Sequence, residues 1–251
     1  MKSEHMGLLR TLQWAIRQAG SVRRAHDRQS SPAHGARYRI AAAGLLLAFL
    51  AFTPTLRAAT ASEIGIGPPT HTVLVIGDSL SAAHGMAESQ GWVALIGQTI
   101  AASKPGWEIV NASISGETSA GGAARVVHEL VLHRPAVLVI ELGANDALRG
   151  LPLQQMRINL ARMIGAAHGV GARVLLIGMR IPPNYGVAYT QEFERSYREL
   201  ARQLDATLLP FLLEPIALDR NAFQDDDLHP VASAEPKLRD HVWQALAPLL
   251  K

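Results

Sequence analysis

The chain has 251 residues, 48% of them apolar and none of them cysteine. That length allows one well-buried domain with little left for a second, and the composition excludes disulfides, a thiolate nucleophile and a Cys-based metal site. The formal charge of +3 arises in residues 1–61, where Lys2, Arg10, Arg17, Arg23, Arg24, Arg28, Arg37, Arg39 and Arg57 face only Glu4 and Asp27; removing these nine and two from the totals of 24 and 21 leaves a body of net charge −4. A mildly acidic body has no electrostatic footprint for a phosphate backbone, so nucleic acid is not an expected partner.

In chain order, a basic stretch ending in Arg37 and Arg39 runs into the apolar segment 40–52 and then small residues at Ala58, Ala59 and Ala61. This pattern reads as an export signal spanning 1–61 and cleaved near Ala61, which would place a single domain, 62–251, in the periplasm or outside the cell. The apolar run is about 13 residues, shorter than the ~20 of a spanning helix. An uncleaved leader anchored in the inner membrane is the alternative. The basic region is long for a signal, as a start codon placed too early would make it, and Arg23-Arg24 lies too far from the apolar run for a twin-arginine signal.

From residue 72 onward, short β-branched runs at 72–76, 108–111, 136–142, 172–178 and 207–211 alternate with longer amphipathic ones. That alternation is the mark of βαβ units, so the fold class is α/β with a five-stranded parallel sheet. One intervening helix carries Leu153, Met156, Leu160, Met163, Ile164 and Ala167 on one face, with Pro152 suited to its first turn. Another carries Phe193, Tyr197, Leu200 and Leu204, and a last helix is expected over 235–249. These stripes are packing faces. Ligands of such sheets sit beyond the carboxyl ends of the strands, so chemistry should collect on the loops there.

The first strand runs into Gly77-Asp78-Ser79-Leu80-Ser81, a serine at a strand-to-helix turn that would expose its hydroxyl. Asp-Ser is equally an ordinary helix cap. After the second strand, the glycine-rich loop 112–122 lacks the Gly-Lys-Ser/Thr of a phosphate loop. The third strand delivers Glu141-Leu142-Gly143-Ala144-Asn145-Asp146, readable also as a polar turn with Asn145 structural. Near the C-terminus, Asp225-Asp226-Asp227-Leu228-His229-Pro230 places a carboxylate three positions before an imidazole, where the acid can fix the ring's tautomer. Spacing selects Asp226 over Asp225 and Asp227; a solvated acidic turn or a divalent-cation site are the rival readings.

Taken together and in this order, Gly77-Asp78-Ser79-Leu80, Gly116, Gly143-Ala144-Asn145-Asp146 and Asp226-Asp227-Leu228-His229 resemble the four blocks of the SGNH, or GDSL, hydrolase family, over roughly residues 70–250. The likeness is closest to the periplasmic branch of acyl-CoA thioesterases, lysophospholipases and arylesterases, which the run from Asn111 to Thr118 and Pro182-Pro183-Asn184-Tyr185-Gly186 also match. The resemblance implies a catalytic triad of Ser79, His229 and Asp226, and an oxyanion hole made by the backbone amides of Ser79 and Gly116 with the side-chain amide of Asn145. It further implies a three-layer, flavodoxin-like sheet of order 2-1-3-4-5 with helices on both faces, and neither metal nor cofactor. Val231 after the His-Pro and Ala144 depart from the usual pattern, which bears on substrate preference more than on activity.

An acyl ester, thioester or lipid is the expected substrate, because Ile181, Pro182, Pro183, Tyr185, Val187 and Tyr189 crowd the loop after the fourth strand, with the next helix starting near Gln191. Ile181, Pro182 and Tyr185 are the candidate substrate-binding residues; a plain proline-rich turn is the alternative. A monomer with at most transient membrane-surface contact is expected. Carbohydrate O-deacetylation is a rival within the family, disfavoured by an aromatic content of 5%. A non-catalytic flavodoxin-like acyl-binding or phospho-receiver module is a rival outside it, but a receiver needs a lysine after the fifth strand and none lies between Lys104 and Lys237. The other histidines, including His71, His84, His128, His133, His168 and His241, have no partner spacing and read as surface or helix residues.

Overall fold

The computed structural model describes residues 70–251; the expected leader lies outside the described residues. Strands β1 (His71–Gly77), β2 (Trp107–Asn111), β3 (Val137–Glu141), β4 (Arg173–Ile177) and β5 (Thr207–Leu209) form one sheet of order β2-β1-β3-β4-β5. Every pairing is parallel, with Gly77 opposite Glu141 at the carboxyl edge. The expected order therefore holds. Val73 to Ile76 and Val137 to Ile140 have no exposed surface, and burial on both faces explains why these strands are continuous apolar runs rather than alternating ones.

Between the strands lie α1 (Trp92–Ser103), α2 (Ser119–His133), α3 (Ala144–Leu148), α4 (Leu153–Gly169) and α5 (Val187–Gln203), with α6 (Glu235–Leu246) closing the chain. Helix α1 packs on α6, while α2, α4 and α5 pack in succession, which gives a helical layer on each face of the sheet. The expected stripe on α4 is buried from Leu153 to Ala167, and on α5 Phe193 meets Tyr197 edge to face with ring centroids 5.2 Å apart.

Three boundaries differ from expectation by more than one residue, for local reasons. Strand β5 ends at Leu209 rather than at 211, because Pro210 has no N–H to extend the ladder. Helix α5 begins at Val187, not near Gln191: Pro183–Tyr185 makes a single tight turn, and Gly186 at φ 93° lets the chain start the helix at once. Helix α6 stops at Leu246 and tightens into a 3-10 turn over Ala247–Leu249.

Helix α1 has no side-chain cap of its own. The Glu235 carboxyl group, 1% exposed, accepts the Trp92 N–H at 2.8 Å and supplies one from the far end of the fold. Burial pushes the Glu235 carboxyl up to about 7, against the Trp92 N–H, which pulls it down.

Candidate active site

The carboxyl end of β1 and β3 is where the blocks converge. Gly77 is required there by contact, since a Cβ on it would lie 2.5 Å from Ser81 Oγ and 2.9 Å from Glu141 Oε2. Immediately after it, the Asp78 carboxylate accepts the Leu80 N–H at 3.1 Å and closes the turn that presents Ser79.

Ser79 Oγ lies 2.7 Å from His229 Nε2, and His229 Nδ1 lies 2.6 Å from Asp226 Oδ2. The other oxygen of Asp226 accepts the N–H groups of Leu228 and His229 at 2.9 and 3.0 Å, so one carboxylate holds both the backbone and the ring of the histidine. With Nδ1–H donated to Asp226, the lone pair of Nε2 faces the serine hydroxyl. Burial alone would raise the Asp226 carboxyl, but the N–H of His229, its ring, the N–H of Leu228 and the His229 charge lower it to about 2. Asp227, at φ 56°, pairs with Arg220 at 3.4 Å.

Gly116 follows β2 at φ 79°, a left-handed turn whose carbonyl accepts from Arg149 at 2.9 Å. Among the described residues, no protein group accepts from the Ser79 or Gly116 amide. Asn145 stands on α3, not in an irregular turn. Its Nδ2 donates to Asp78 Oδ2 and to the Glu117 carbonyl, both at 3.1 Å. Gly143 starts this helix at φ 119°, and a Cβ there would fall 2.4 Å from the Tyr197 hydroxyl. Asp146 instead serves α2: it accepts the Ser119 N–H at 2.7 Å and hydroxyl at 2.6 Å. All five expected residues are thus gathered at one edge of the sheet.

Beneath them is a carboxyl pair that the block pattern alone did not single out. Glu141 has no exposed surface and accepts the Ser81 hydroxyl at 2.7 Å and the Asp78 N–H at 3.3 Å. Burial, reinforced by the charge of Asp78, pushes its carboxyl well above the usual range; burial also raises Asp78 to about 6, against the N–H of Leu80 and its other hydrogen bonds. The available signal was a single charged residue closing the otherwise apolar run 137–142.

Beside Ser79 and His229 opens a cavity of about 370 Å³. Its walls include Leu148, Met179, Ile181, Pro182, Phe211 and Leu213. Ile181 and Pro182 are in the lining as expected, but Tyr185 is not: its hydroxyl donates to the Leu148 carbonyl at 3.1 Å, and Tyr189 does the same to Leu151 at 3.1 Å. The two tyrosines latch the β4–α5 loop to the segment after α3. Phe211 and Leu213 escaped the sequence reading because Leu212 N–H bonds back to the Gly178 carbonyl at 3.1 Å and folds this stretch over the site. His84 is exposed, as expected of a surface histidine, but it also has a partner the spacing did not show: its ring centroid lies 4.4 Å from that of His229.

Residues 75–234 match the GDSL-like Lipase/Acylhydrolase family. Esterase TesA of Pseudomonas aeruginosa is 48% identical over 179 residues, covering 71% of this chain and 89% of that protein. Thioesterase 1/protease 1/lysophospholipase L1 of Escherichia coli is 39% identical over 183 residues, covering 71% and 85%. A crystal structure of TesA superposes with a TM-score of 0.69 at 47% identity, over 71% of this chain and 99% of that one. The serine turn, the asparagine helix and the acid–base loop all fall inside the matched span, and the chain belongs to the GDSL-like lipase/acylhydrolase family.

Proposed function

We propose that the protein hydrolyses carboxylic esters and thioesters by way of an acyl-serine on Ser79. The observation that carries this reading is the unbroken line of short contacts from Ser79 Oγ through His229 to Asp226 at the edge of an apolar cavity. The names of the relatives, an esterase and a thioesterase/lysophospholipase, point the same way.

In this mechanism His229 Nε2 takes the Ser79 proton as Oγ attacks the acyl carbonyl carbon. The carbonyl oxygen becomes an oxyanion held by the amides of Ser79 and Gly116 and by Asn145 Nδ2. When the tetrahedral centre collapses, the bond to the leaving oxygen or sulfur breaks and that atom takes the proton from the imidazolium. Water then attacks the acyl-serine with His229 again as base, releasing the acid and restoring the hydroxyl. Asp226, with its low pKa, stays ionised throughout and stabilises the imidazolium. The acyl chain lies along Met179, Ile181, Phe211 and Leu213.

The test is hydrolysis of p-nitrophenyl esters from acetyl to palmitoyl by the wild-type chain and by Ser79→Ala. Activity lost with Ser79, and greatest on esters longer than acetyl, is the expected result; equal activity in the two proteins would overturn the assignment. We further propose that residues 1–61 export the domain to the periplasm and are removed near Ala61, and that the mature protein is a monomer meeting lipid substrates only transiently at a membrane surface. The basic-then-apolar pattern ahead of small residues supports export. Cell fractionation and N-terminal sequencing check it; a cytoplasmic protein with an intact leader would refute it.

A further inference from the structure

We propose that His84 is a positioning residue for the base: its ring is a π-face that holds the plane of His229 and supports the imidazolium formed during turnover. The proposal rests on the Ser79–His229–Asp226 reading above. Ser79 and Asp226 engage the two nitrogens of His229 in the plane of its ring, which leaves rotation and tilt of that plane to be controlled from its faces. On one face lies His84, with centroids 4.4 Å apart and planes inclined by 38°.

The turn that puts His84 there is costly on its own. Ala83 and Gly85 on either side are left-handed, at φ 56° and 76°, and Ala83 bears a Cβ that disfavours this region. The surroundings hold the turn in place. His84 N–H donates to the Ser79 carbonyl at 3.1 Å, Gln224 Nε2 donates to the His84 carbonyl at 2.8 Å and to Pro230 at 2.9 Å, and Gln224 N–H donates to the His229 carbonyl at 2.8 Å. A Cβ on Gly85 would come within 2.3 Å of Gln224 Oε1, so glycine is needed for this approach. The peptide of His84 thereby joins the nucleophile turn to the base loop, and its side chain covers the base. When His229 takes the serine proton it becomes a cation within the ~6 Å over which an aromatic face attracts one.

The experiment compares kcat and KM of the full chain for p-nitrophenyl butyrate in the wild type, His84→Leu, His84→Phe and Ser79→Ala, with thermal unfolding of each. Leucine fills much of the space without a π-face, and phenylalanine restores the face without ring nitrogens. The expected result is a loss of about threefold to tenfold in kcat for His84→Leu at unchanged KM and Tm, and recovery to within about twofold in His84→Phe. An inactive Ser79→Ala beside a His84→Leu of wild-type kcat would overturn this proposal alone, as would a His84→Phe no faster than His84→Leu. Hydrolysis persisting in Ser79→Ala would overturn the reading beneath it.

Discussion

Replacing Glu235 by glutamine should change how stability depends on pH, by an amount the structure specifies. In the folded protein the buried Glu235 carboxyl keeps its proton up to about 7, whereas its ordinary value is 4.5. Above 4.5 the unfolded chain has released this proton and the folded one has not, so the contribution of this group falls as pH rises through the window from 4.5 to about 7. At about 1.4 kcal/mol per pH unit, that interval corresponds to about 3 kcal/mol. Glutamine keeps an acceptor for the Trp92 N–H and cannot ionise. Urea unfolding of both proteins at pH 5 and pH 8 reads the effect as a difference of differences, in which the titrations of Asp78 and Glu141 cancel. Glu235→Gln should gain about 2.5 kcal/mol on the wild type between the two pH values. A stability difference constant within about 1 kcal/mol would refute the reasoning, and with it the idea that the tie between α6 and α1 is made by a neutral acid.

Asn145→Ala removes one oxyanion donor and should lower kcat by about a hundredfold or more, about 3 kcal/mol, with the fold intact by circular dichroism; a folded variant with normal turnover would sink the role. Gly143→Ala forces a side chain into a left-handed position and against the Tyr197 hydroxyl, so chemical denaturation should show a loss of at least about 2 kcal/mol. Its loss should be partly relieved in the double variant with Tyr197→Phe, which removes the clashing oxygen; strict additivity would count against the clash. Leu213→Trp fills part of the cavity and should shift the preferred p-nitrophenyl ester to a shorter acyl chain with Ser79 reactivity retained, and an unchanged preference would place the acyl chain elsewhere.

What could be read from the sequence was set by local patterns. The runs 73–76 and 136–140 are apolar without alternation, as a parallel strand buried on both faces requires, and from their ends the loops bearing Ser79 and Asn145 follow. Asp226 and His229 are three residues apart, so a single turn suffices to bring them together. What could not be read depends on partners distant in the chain. Glu141 becomes a buried acid through the register that sets it opposite Gly77, and no spacing reveals a register between strands separated by a helix. His84 meets His229 only once Gln224 has tied the two loops together. The capping of α1 by Glu235 is of the same kind. Phe211 looks like the end of a strand until Pro210 is counted as a ladder breaker.

The arrangement of Asn145 bears on how the site distinguishes a substrate from its transition state. Both hydrogens of its amide are already shared, one with the Glu117 carbonyl and one with Asp78. A substrate carbonyl arriving in the ground state is an acceptor no better than the Glu117 carbonyl it would have to displace, so it gains little by the exchange. An oxyanion is a much stronger acceptor than a neutral carbonyl, because the hydrogen bond to it is charge-assisted. In the proposed mechanism the bond therefore changes hands only as the tetrahedral centre forms, and the internal acceptors of the resting site act as a threshold that makes the amide's contribution differential rather than uniform.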